Sequence, residues 1–178
     1  MARIKPVDID SADAEATDLF VLVKKKMGTI PNLISTMANS PSVAHAYLGF
    51  NQSLSTGKLS SKLREQITLL VGQTNGCDYC LAAHTALGAG AGLSSLEITR
   101  ARQGKSDDAR ENAALEFSRQ VVLTRGAVCD NDIVRLRDAG FTDGEIIEIV
   151  ANVVVNIFTN YINLVAGTEV DFPAAPAL

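Results

Sequence analysis

REQITLLVGQTNGCDYCLAAHTALG, residues 64–88, is the stretch on which the reading of this chain turns. Its first half repeats apolar residues at helical spacing: Leu63, Ile67, Leu70 and Val71 form one stripe. Asn75-Gly76 then breaks the pattern with a turn-forming pair. The second half puts Cys77, Cys80 and His84 on one face of a following helix, within about 60° of one another at 100° per residue. If the chain folds back at Asn75-Gly76, Glu65 stands ten residues before the turn and His84 eight after it, at about the same level. Gly72 shares the face of Glu65 and would let the two helices approach closely. The order Glu65, His84, Cys80, Cys77 then reads as a proton path. Taken locally, Glu65 also fits a solvated position opposite the apolar stripe.

The punctuation on either side is helical too. Ser11 reads as the cap of a helix to Met27, with Lys24, Lys25 and Lys26 in its last turn and Gly28 as its stop. Pro31 opens a short helix to Asn39, and Pro41 opens another that ends near Gly57. Ser60 caps the helix that ends at Asn75-Gly76. Ser94 with Glu97, and Thr142 with Glu145, are capping boxes preceded by the apolar residues Leu93 and Phe141. Two further helices are expected over Asp107–Thr124 and Asp130–Ala139. The last, Asp143–Val165, is apolar nearly all round and should be central. Asn152, Asn156, Asn160 and Asn163 mark one polar stripe on it. This stripe is read as a ladder of hydrogen-bonded core amides, a subunit contact, or the lining of a cavity.

These signals give an all-α chain of about eight or nine helices and no strand. It reads as a single domain over residues 1–178, with a Cys-x-x-Cys helix hairpin at 59–90 and a core helix at 142–166. The similar starts of the segments 59–88 and 141–165 raise the possibility of an internal duplication. The tail VDFPAAPAL is expected to lie extended on the surface.

A chain of 178 residues with 47% hydrophobic and 20% charged residues can bury a core without covalent staples. A net charge of −4 and a pI near 5.1 argue against nucleic-acid or acidic-membrane partners. No uninterrupted apolar run reaches the roughly 18 residues of a membrane span, and the N-terminus lacks the apolar stretch of a secretory signal. A cytoplasmic protein is expected. In that reducing compartment, paired cysteines are more often catalytic or metal-binding than structural.

Two thiols in the first turn of a helix meet free backbone N–H groups and the positive end of the dipole, which favour the reactive thiolate. His84, one turn beyond Cys80, can take a proton from it or stabilise its charge. A redox dithiol, part of a zinc site and inert packing all fit the residues at this point. Zinc would want a fourth ligand and a second ligand pair, and Cys129 and His45 are isolated in sequence. Cys129 reads as a small semi-buried residue at a helix start, and His45 as a partly buried side chain.

The motif of a glutamate, eleven residues, Cys-x-x-Cys, three residues and a histidine is met by Glu65, Cys77, Cys80 and His84. In this the chain resembles the alkylhydroperoxidase D-like (AhpD-like) part of the carboxymuconolactone decarboxylase superfamily. CDYCLAAHT, RGAVCDNDIVRLRDAGFTDGEI and NIFTNYINLVAGTEVDFP are similar to its peroxidase-related subgroup, over roughly residues 15–173. The resemblance implies an AhpD-like helical fold and homo-oligomers from dimers or trimers to hexamers. It also implies a thiol peroxidase without haem or flavin, acting on hydrogen peroxide or organic hydroperoxides; no metal is expected. Cys80 would attack the peroxide, Cys77 would resolve the sulfenic acid to a disulfide, and Glu65 with His84 would relay protons. A thiol reductant, or a lipoylated or thioredoxin-like protein, would restore the dithiol. The best-known members carry a second histidine just before the second cysteine; this chain has Tyr79, a poor base near neutral pH, as a possible supporting residue. Disulfide exchange with a protein, decarboxylation of a small lactone acid by His84 and Glu65, and a zinc-stabilised interaction module are the other functions the residues allow.

Overall fold

The computed structural model describes residues 2–178. Among them it has nine α-helices and no strand: α1 Ala14–Met27, α2 Asn32–Met37, α3 Pro41–Ser55, α4 Ser61–Asn75, α5 Asp78–Gly90, α6 Ser95–Arg102, α7 Ala109–Thr124, α8 Asp130–Asp138 and α9 Asp143–Ala166. The all-α expectation holds, and most boundaries fall where the caps put them. The start of α1 differs. Asp13 caps it by accepting the N–H of Ala16, while Ser11 ends a short 3-10 turn, Ile9–Ser11, that is capped by Asp8.

The hub is α4, which packs against α5, α6, α7 and α9. Its stripe of Leu63, Ile67, Leu70 and Val71 joins Leu115, Phe117 and Val121 of α7, Leu136 of α8 and Ile149 and Val153 of α9 in one core cluster. Leu69, on another side, meets Leu93, Ile98 and Ala101 around α6. A second large cluster unites Leu19, Phe20 and Val23 of α1 with Leu33, Ile34 and Met37 of α2 and the start of α5, including both cysteines. The dithiol segment therefore sits where the N-terminal helices close over the α4–α5 hairpin. The turn of that hairpin depends on Gly76, which caps α4 in the left-handed region at φ 66°.

Helix α9 runs unbroken for 24 residues, so nothing in it corresponds to the Asn75-Gly76 break. The likeness between segments 59–88 and 141–165 is confined to their starts, both closed by a hydroxyl cap. By length and a mean hydropathy of 1.6 over 18 residues, α9 is apolar enough to cross a membrane although its asparagines interrupt the apolar run; half of those residues are buried inside the protein. The tail beyond α9 is extended, as expected, but it is tied down. Arg102 donates to the Pro176 carbonyl at 2.6 Å, and Asn32 donates to Asp171 at 2.8 Å and to the Glu169 carbonyl at 3.0 Å.

Candidate functional site

Cys77 is the N-cap of α5, and its sulfur accepts the backbone N–H of Cys80 at 3.3 Å. Cys80 lies three residues on, in the first turn. The two are joined as a disulfide. Both are buried, at 1% and 4% exposure. One turn later, His84 Nδ1 meets Glu65 Oε2 at 2.8 Å across the α4–α5 hairpin. The fold-back at Asn75-Gly76 thus brings Glu65 and His84 together, and Glu65 is a half-buried partner rather than a solvated side chain, with 21% of its side chain exposed.

The expected path is not continuous. Among the described residues no hydrogen bond joins His84 to either sulfur. Cys80 Sγ instead meets two α9 amides, Asn160 Nδ2 at 3.0 Å and Asn163 Nδ2 at 3.4 Å. The asparagine stripe thus serves two ends. Asn160 and Asn163 reach the sulfur, while Asn152 and Asn156 line a cavity beside it, Asn156 donating to Thr68 Oγ1 at 2.9 Å. Periodicity singled out all four amides; which of them would face the sulfur depends on the rotation of α9 against α5, and one helix's sequence does not record that rotation.

The cavity holds about 340 Å³. Glu65, His84 and Thr68 form its polar wall; Leu33, Tyr47, Leu48 and Phe172 supply apolar sides. Tyr79 also lines it. Its hydroxyl accepts the N–H of Leu33 at 3.1 Å, and its ring meets Phe172 edge-on. Burial raises the Tyr79 pKa, the Leu33 N–H opposes that, and the Asp171 carboxylate adds to the rise. Tyr79 is therefore neutral and cannot replace a histidine base. Burial likewise raises the pKa of Tyr47. The two cysteines are buried and do not line the cavity, although Tyr79 between them and Ala83 and His84 after them do.

Gly72 does not perform the service expected of it. A Cβ there would stand 3.5 Å from Cys80 Cβ and 3.6 Å from Leu81, which is ordinary contact, so α4 and α5 could approach equally with an alanine. Cys129 is exposed rather than semi-buried, with its thiol 3.2 Å from Asp132 Oδ2. His45 is exposed as well and stands apart from the site. No group of three His, Cys, Asp or Glu side chains among the described residues is placed to hold a metal ion.

Residues 41–120, which contain the whole Glu65 to His84 constellation, match the model of the carboxymuconolactone decarboxylase family. The same constellation sits in a helical scaffold shared with solved AhpD-like proteins. One is an uncharacterised peroxidase-related protein with an alkylhydroperoxidase AhpD core from Ralstonia eutropha JMP134. Its TM-score is 0.85 at 24% identity, over 96% of this chain and 92% of that one. The 41–120 segment resembles the carboxymuconolactone decarboxylase family, and the chain as a whole has the AhpD-like fold. A peroxidase-related protein from Silicibacter sp. TM1040 has a TM-score of 0.81 at 24% identity, over 93% of this chain and 91% of that one. The debrominase Bmp8, as a cysteine-to-alanine variant in complex with 2,3,4-tribromopyrrole, has a TM-score of 0.80 at 20% identity, over 94% and 91%. At these identities the structural likenesses establish the fold of this chain and leave its reaction open. No curated protein sequence matches it.

Proposed function

We propose that this AhpD-like protein is a cytosolic dithiol peroxidase that reduces organic hydroperoxides. The observation that carries the reading is the Cys77–Cys80 disulfide one helical turn from a Glu65–His84 pair that itself lines a cavity. In the reduced enzyme the Cys80 thiolate attacks the terminal peroxide oxygen and the O–O bond breaks. The leaving alkoxide takes a proton through His84, which Glu65 holds in orientation. Cys80 is then a sulfenic acid. Cys77, deprotonated at the helix N-terminus, attacks the Cys80 sulfur; the S–S bond forms and hydroxide leaves as water. The sum is dithiol plus ROOH giving disulfide, ROH and H2O. A small thiol or a dithiol-bearing protein returns two electrons and two protons. Because both oxidised sulfurs are buried, reductant reaches them only when the first turn of α5 opens.

The cavity favours organic over inorganic peroxide, since about 340 Å³ with apolar sides far exceeds what hydrogen peroxide fills. The same apolar cavity supports a second reading, suggested by the fold shared with Bmp8: thiol-dependent reduction of a halogenated aromatic ring, in which the dithiol supplies two electrons, halide leaves and a proton replaces it. The test is a panel of hydrogen peroxide, tert-butyl and cumene hydroperoxides and tribromopyrrole, with free thiols counted before and after. The peroxidase reading expects one equivalent of hydroperoxide to remove two thiols, and Cys80→Ser to abolish the reaction. Bromide release with unreacted hydroperoxide would replace it with the second reading. A reaction that survives Cys80→Ser would point instead to acid–base chemistry by His84 and Glu65.

A further inference from the structure

We infer that Asn160 and Asn163 form an anion hole for the sulfur of Cys80, positioning residues that hold its thiolate in the reduced protein; this deepens the dithiol reading and rests on it. Two carboxamide N–H donors from α9 converge on one sulfur, at 3.0 and 3.4 Å. Both asparagines are buried, Asn160 fully. Asn160 is aimed by a further amide: its Oδ1 accepts from Asn75 Nδ2 at 2.9 Å, which commits its Nδ2 to the sulfur. Asn75 belongs to the turn that makes the α4–α5 hairpin, so one residue sets both the hairpin and the donor. Asn163 is held at the sulfur while its own Oδ1 is buried without a partner among the described residues. A buried orphan acceptor is costly, so the amide's orientation is not set by its oxygen. A disulfide sulfur is a weak acceptor. A buried thiolate is a strong one and gains far more from the same donors. Cys77 has the helix N-terminus for this purpose; the α9 amides give Cys80 its own donors.

The thiolate pKa tests this without peroxide. Cys80 is made the single cysteine by Cys77→Ser and Cys129→Ser, and its ionisation is followed by thiolate absorbance near 240 nm and by the pH dependence of iodoacetamide alkylation. The expectation is a pKa below the ordinary value of about 8.5. Asn160→Leu should raise it by about one unit, Asn163→Leu by less, and Asn75→Ala should act in the direction of Asn160→Leu. Should Asn160→Leu fail to fold, Asn160→Ser and Asn75→Ala carry the test. An unmoved pKa in variants with native helix content and melting overturns the inference. A shifted pKa in a protein that leaves every hydroperoxide untouched keeps the anion hole and removes the peroxidase reading instead.

Discussion

Glu65 shows how much one residue's environment adds to its sequence. Its helix face marks it as solvent-facing, since the apolar stripe lies opposite; the spacing to the cysteines and histidine marks it as a partner. The 2.8 Å contact puts Glu65 beside His84, because the turn at Gly76 folds the two faces together. Glu65→Gln keeps the shape and removes the charge. It should lower peroxide turnover by roughly 10²-fold, the range of general acid–base assistance, with melting nearly unchanged; an unaffected rate would exclude Glu65 from the relay. Gly72 is the opposite case, a residue to which the sequence lent a purpose that the geometry does not require. A Cβ fits there, and helix interiors favour alanine over glycine. Gly72→Ala should therefore stabilise the protein by about 0.5–1 kcal/mol in urea unfolding. A loss of more than that would mean that the backbone approach at Cys80 is tighter than ordinary contact.

At the scale of elements, the sequence was most legible where a side chain closes a helix. Thr142 accepts the Glu145 N–H at 3.3 Å, and Glu145 accepts the Thr142 N–H at 2.9 Å, as the capping-box spacing foretold. What it hid was the relation between helices. The unbroken α9 and its rotation towards Cys80 follow from packing against α4, α5 and α7, none of which leaves a local signature. The Glu145 carboxyl gives this element a pH dependence. Hydrogen bonds from the Thr142 backbone and hydroxyl, followed by Arg110, lower its pKa from 4.5 to about 2. A depressed folded pKa contributes stability that is full above the unfolded value and lost as pH falls from about 4.5 towards 2. Thr142→Ala should cost about 1 kcal/mol at pH 7, and that difference should shrink across the same acid range. A cost independent of pH would assign the effect to the hydroxyl alone.

On the scale of the whole molecule, the site is closed by parts of the chain far apart in sequence, and this is where sequence reading reached least. The tail was legible as extended because VDFPAAPAL cannot form a helix, but its destination was not. Phe172 packs edge-on against Tyr79 and forms part of the cavity wall, and the Arg102 hydrogen bond to Pro176 holds the tail in place. Partial burial of one aromatic ring sets the scale of its contribution at about 1–2 kcal/mol, below that of a fully buried phenylalanine. Phe172→Ala should lose about that much stability in urea. It should also open the apolar side of the cavity, so that KM for cumene hydroperoxide rises several-fold while turnover of hydrogen peroxide, too small to touch that wall, stays the same. Tyr79, no longer shielded, should titrate closer to the ordinary tyrosine range, since burial is the first cause of its raised pKa. A raised folded pKa contributes stability that is present below about pH 10 and lost above it, so Phe172→Ala should also flatten the alkaline fall in stability. Equal changes in KM for both peroxides would mean that the tail supports the fold without shaping what the cavity accepts.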